Sequence, residues 1–260
     1  MLINFQLTPL KDVIPWGAPN NQSLSWFGLT DGQYWISVGE TSLFEYSEHA
    51  RVGTRRYCDY QVIRLLEDIL DMLPSIMEPV PPTLVQYLSG DSGKAWQTKL
   101  SSWSNEQFDV IDEDEYWRLA GLAGSLSYNR FLDSAYLSPS ASILMWSDEK
   151  TVHIEWDNSE KIIDGKPAWS AWKGYFQIHR EDFLREVGSF HFRLIEQMTS
   201  RVSQVVGGAL SPDIRIDFPG LLSEHEQRQN AFNRALGNAV TTSWDEVERA
   251  IKAISADTAA

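Results

Sequence analysis

The chain has a single cysteine, Cys58, in 260 residues, so no disulfide forms within it and no set of Cys and His has zinc-site spacing. It has no run of Lys or Arg either. Its 22 basic residues face 36 acidic ones, a formal charge of −14, and such a surface repels phosphate backbones and anionic membranes. Neither nucleic acid nor a membrane is therefore an expected partner. No uncharged apolar run reaches the ~18 residues of a spanning helix, and the opening MLINFQLTPLKDVIPW lacks a basic n-region. A reducing, cytoplasmic setting is the expectation. P-loop, G-x-G-x-x-G and G-x-S-x-G signatures are also missing, which removes support for standard nucleotide binding and serine hydrolysis. His225-Glu226 opens like a zinc-protease helix, but Gln229 stands where the second histidine belongs. No metal and no cofactor are expected.

What is present is an ordinary globular balance, 43% hydrophobic and 22% charged, with a heavy aromatic load of 11 Trp, 9 Tyr and 11 Phe. This is enough apolar mass for a large core. No internal repeat, low-complexity stretch or long linker interrupts it, so one α+β domain over residues 1–260 is expected: an antiparallel meander sheet packed by long amphipathic helices, with a helical C-terminal part. Residues 1–56 read as strand-rich, 57–132 as helical, 140–179 as strands and 180–255 as helical.

Period-2 alternation marks Leu2 to Leu7 and Gln33 to Val38 as strands; Leu24 to Leu29 and Thr41 to Tyr46 are further candidates. Asp31-Gly32 and Gly39-Glu40 read as turns between them. From Tyr57 to Leu73 the apolar spacing changes to that of a helix, ended or kinked by Pro74, with Glu67, Asp68 and Asp71 on the wet side. A short helix capped by Thr83 and ending at Leu88 follows. Ser89 to Gln107 reads as loop around one helical piece from Lys94 to Trp103. Asp112 then caps a helix whose first turn holds Glu115. Strands are expected at Ser142–Trp146, Thr151–Trp156 and Gly174–His179, the first two joined by a turn at Asp148-Glu149-Lys150. Glu181 to Val206 is a long helix with a Glu181/Arg185 pair, stopped by Gly207-Gly208. Ser223 with Glu226 and Ser243 with Glu246 are capping boxes for two more helices. The tail after Ser255 is expected to fray.

Candidate chemistry lies in few places. Asp112, Glu113, Asp114 and Glu115, flanked by Trp103, Phe108, Tyr116 and Trp117, resemble a surface for a basic protein: charge steers the encounter and aromatics anchor it. The plainer reading is a solvated helix start. On a strand, His153, Glu155 and Asp157 share one face and could serve a metal or acid/base chemistry, unless they simply face water. Arg51, Arg55 and Arg56 form the densest positive patch, able to hold an anion or to pair with the chain's own carboxylates. Cys58 and His191 read as buried, unreactive groups.

Several strings resemble one bacterial family: Leu7-Thr8-Pro9-Leu10 with Pro15-Trp16-Gly17, Trp26-Phe27-Gly28-Leu29-Thr30-Asp31-Gly32 with Tyr34-Trp35, Asp59-Tyr60-Gln61-Val62, Glu67-Asp68-Ile69-Leu70 and Glu78-Pro79-Val80-Pro81-Pro82. His153-Ile154-Glu155-Trp156 and Phe190-His191-Phe192-Arg193-Leu194 extend the likeness, which covers the chain to about residue 206. The family resembled is that of domain of unknown function 5984. The resemblance implies a bacterial, cytoplasmic protein and carries no catalytic residue. By analogy with small, acidic, tryptophan-rich bacterial α+β proteins, the expected function is non-enzymatic: an immunity-type protein that binds and neutralises a basic toxin domain. The alternative is an enzyme or small-ligand-binding protein using the His153, Glu155 and Asp157 face or the arginine cluster. Oligomeric state is not read from the sequence.

Overall fold

Alternating residues from Gln33 to Val38 build the strand around which the first sheet assembles. In a computed structural model, which describes residues 1–53 and 55–257, this strand is β2 (Asp31–Val38), with Tyr34, Ile36 and Val38 buried. β1 (Ile3–Leu7) pairs with one edge of it, placing Ile3 opposite Ile36 and Leu7 opposite Gly32. Along the other edge lie β3 (Thr41–Leu43) and β4 (Cys58–Gln61), one after the other. All pairings are antiparallel, but β4 returns to β2 rather than extending a simple meander.

Several local expectations give way to tertiary pairing. Asp31-Gly32 is part of β2 rather than a turn, because Gly32 is pinched between β1 and β4. A Cβ at Gly32 would collide with the Gln6 carbonyl, so glycine is there for close approach. Leu24 to Leu29 is a turn leading into one 3-10 turn at Gly28–Thr30, which buries Leu24, Trp26 and Leu29 without pairing as a strand. β3 stops at Leu43, since Phe44 takes a φ of 65°. The stretch beginning at Tyr57 first completes β4, and only then does α1 (Val62–Met77) start. Pro74 sits inside α1, whose last turn carries buried Ser75 and Ile76, so packing outweighs the missing N–H. Asp68 is 5% exposed rather than wet.

After α1, Val85–Tyr87 makes a single 3-10 turn in place of the expected short helix. The stretch expected to be mostly loop is α2 (Gly90–Gln107), followed by α3 (Glu113–Ser125). The second sheet is an antiparallel meander of β5 (Ile143–Ser147), β6 (Thr151–Asp157) and, after a small hairpin of β7 (Ile162–Ile163) and β8 (Lys166–Pro167), β9 (Lys173–His179). Met145 faces Ile154, which faces Phe176. Asp148 holds the turn between β5 and β6 by accepting from the Lys150 and Thr151 N–H groups, each at 2.7 Å.

α4 (Arg180–Val206) buries its stripe from Phe183 through Leu194 to Val205 and ends at Gly207, with Gly208 at φ +86°. Arg185 pairs with Asp182, one residue nearer than the expected Glu181. α5 (Phe218–Gln229) begins five residues before Ser223, capped by Asp217 through the Gly220 N–H, so the capping box there is unused. α6 (Ala231–Gly237) is an additional short helix, and α7 (Trp244–Asp257) starts directly after Ser243 and continues past Ser255. The rest of that tail lies outside the described residues.

Two hydrophobic cores share β5. Ile143 and Met145 point into the larger one with both sheets, α1 and α4. Leu144 and Trp146 point the other way, into a smaller core with α2, α3 and α7. Among the described residues no helix is long and apolar enough to cross a membrane.

Candidate functional site

The corner between α2 and α3 is built on a buried pair. Trp103, fully buried, stacks on Tyr116 at 5.6 Å and 7°, and the Tyr116 hydroxyl lies 2.5 Å from Ser104 Oγ. These two aromatics are core, not contact surface. On top of Tyr116 stand Trp117 and Phe108, at 5.0 and 5.4 Å with rings near perpendicular. Phe108 and Trp117 are 54% and 57% exposed, and Val110 beside them 71%. Edge-to-face contact with a buried ring holds these exposed groups in place.

Acidic side chains surround them. Asp112 caps α3, its Oδ1 accepting from the Asp114 and Glu115 N–H groups at 3.1 and 3.3 Å. Glu115 is engaged by Arg118 through two 2.7 Å bonds, and those hydrogen bonds hold its carboxyl below the usual range. Among the described residues no ion pair engages Asp109, Asp112, Glu113 or Asp114. Charge and exposed aromatic area therefore coincide at one end of the α2–α3 pair.

The arginine cluster is occupied. Arg51 and Arg56 both bond Glu45 Oε1, at 2.8 and 2.9 Å, and Arg55 pairs with Asp59. Pairing with the chain's own carboxylates, the plainer sequence reading, accounts for all three.

His153, Glu155 and Asp157 do share a face of β6, but each is committed separately. His153 stacks on Trp146 at 3.9 Å and 10° and bonds the Tyr175 hydroxyl and, at 3.1 Å, Asp148. Glu155 accepts from Trp146 Nε1 at 2.8 Å, Ser89 Oγ at 2.5 Å and Gly90 N–H at 2.9 Å. These bonds tie the start of α2 to the sheet, a positioning role. Glu155 and Asp157 both line a cleft of about 320 Å³ between that start and the sheet, together with Leu88, Leu144, Lys94 and Lys173. No group of three or more His, Cys, Asp or Glu side chains among the described residues is arranged to hold a metal.

The family model for the family of unknown function (DUF5984) matches residues 2–250. The chain belongs to this family. The match extends beyond residue 206, so the C-terminal helices are part of the family pattern together with the α2–α3 corner and the cleft. No curated protein and no solved structure matches the chain.

Sequence reasoning found the acidic run with Phe108 and Trp117 beside it but missed Val110 as a further exposed companion. The signal was present: Val110 precedes the Asp112 cap, in the connection where apolar side chains have no helix face to bury them. It also missed Asp68, which lies three residues after Leu65 and four before Met72, both buried. The cleft, drawn from residues 88 to 174, has no local signal.

Proposed function

We propose that the chain is a non-enzymatic binding protein of immunity type, which uses the α2–α3 corner to hold and neutralise a basic bacterial toxin domain. One observation carries this reading: Phe108 and Trp117 stay about half exposed while locked against buried Tyr116, amid four carboxylates without ion pairs. Preorganised aromatics lose little entropy on binding, and unpaired carboxylates attract a cationic partner. The engagement of His153 and Glu155 by structural partners favours binding over catalysis.

The test is capture from the native bacterium by tagged wild type, Trp117→Ala and Asp114→Lys, at low and high salt. The reading expects one stoichiometric partner with a basic domain, captured less well at high salt and poorly by either variant. That domain, produced alone in cells, should arrest growth, and co-production of the wild-type chain should relieve the arrest. Equal capture by all three chains, or a partner that is acidic and harmless, overturns it.

A further inference from the structure

Asp157 ends β6 at the mouth of the cleft. Its Oδ1 accepts from the Ser159 N–H at 3.1 Å and the Ser159 hydroxyl at 2.5 Å, which fixes the carboxylate. Those bonds, aided by Lys94 and Lys173, hold it ionised below the usual carboxylate range. Both lysines approach the other oxygen, Oδ2, at 3.7 and 3.8 Å, too far for a hydrogen bond. Each ammonium bonds outward instead, Lys94 to Glu160 at 3.1 Å and Lys173 to Asp91 at 2.6 Å. Glu160 and Asp91 are 81% and 88% exposed, so these are surface pairs that hold weakly and exchange readily.

The lining is mixed: Glu155 is part of it, but its oxygens are taken up by Ser89, Gly90 and Trp146, and the rest offers apolar surface. Leu88, Leu144 and Phe131 supply that surface, and Gly90 lines the cleft with open space where a side chain would stand. Its volume of about 320 Å³ is at the low end of small-molecule sites, roughly 300–1,000 Å³. With Glu155 engaged by its three donors, a purely anionic ligand would meet Asp157, and a purely cationic one would meet the Lys94 and Lys173 ammonium groups. A ligand carrying both charges close together satisfies all three.

We propose that this cleft binds a free α-amino acid with a large apolar or aromatic side chain. The ligand ammonium bonds Asp157 Oδ2. Its carboxylate displaces Asp91 and Glu160 from Lys173 and Lys94, and its side chain packs on Leu88 and Leu144. The site goes beyond the toxin-binding reading and is separate from it: the cleft is at the start of α2 and the acidic aromatic corner at its end, 18 residues or about 27 Å away.

Isothermal titration of the full chain with L-phenylalanine and L-leucine tests this, with phenylacetate, phenethylamine and glycine as probes lacking one charge or the side chain. Saturable binding of phenylalanine or leucine with a Kd of about 1 mM or tighter is expected, and at least about tenfold weaker binding of the other three. Lys94→Glu and Lys173→Glu alter exposed side chains and should each weaken phenylalanine binding at least about tenfold, with thermal melts unchanged. No heat with either amino acid overturns the proposal, as does phenylacetate or phenethylamine binding equal to phenylalanine. If the variants fold poorly, the ligand panel on the wild-type chain decides alone. Neither result affects capture through Trp117, so the two proposals fail separately.

Discussion

Asp68 sits on the buried side of α1, its Oδ1 3.1 Å from Arg64 Nε. Burial pushes its carboxyl up to about 7, against the pull of Arg64 and with Asp133 and Glu67 adding repulsion. An unfolded aspartate ionises near pH 4, roughly. From about pH 4 to 7 the folded chain therefore holds a proton that the unfolded chain has lost. This group's contribution is most favourable below that window, declines as pH rises through it, and is flat above. Asp68→Asn has no such proton. Between pH 5 and 8 the unfolding free energy of the variant, measured in urea, should gain about 2–3 kcal/mol on that of the wild type. A difference that does not change with pH contradicts this account. The two tryptophans of the α2–α3 corner should separate just as clearly. Trp103→Ala empties a fully buried site and should cost about 3–5 kcal/mol, whereas Trp117→Ala should change stability by less than about 1 kcal/mol. Denaturation midpoints check both, and a large loss at Trp117 would place it in the core.

At the scale of elements, Gly32 shows how β1 and β4 are held against β2. Gly32→Ala puts a methyl group into the Gln6 backbone, so a loss of about 1–3 kcal/mol is expected in thermal or urea unfolding; an unchanged midpoint would mean that β1 can shift freely. The same glycine marks a limit of local reading, since Asp-Gly is a turn signal until two strands close on it. Elements with a continuous buried or half-buried face were legible: β2 from Gln33 on, the β5, β6 and β9 meander, and α4. α2 was not, because its buried groups are only Gly93, Trp96 and Trp103, too sparse for a stripe. The candidate corner was half legible. A run of acids announces itself, but nothing local separates Trp103, stacked inside, from Trp117, standing outside. The Asp157 cleft depends on contacts across more than sixty residues, such as Lys94 with Asp157, and periodicity carries no information about those.

For the molecule as a whole, the proposed binding role has a formal charge of −14 and an acidic aromatic corner acting together on a basic partner: the field would raise the encounter rate and the rings would slow release. Raising salt from about 50 to 500 mM should lower the association rate about tenfold or more while changing dissociation much less, because screening shortens the reach of the field. Equal rates at both salts would remove charge steering from the account. The most direct measurement is the equilibrium affinity of the purified captured partner for wild type and for Trp117→Ala. A loss of at least about tenfold, about 1.4 kcal/mol, with folding intact is the predicted result; an unchanged affinity would contradict the claim that the α2–α3 corner is the binding surface.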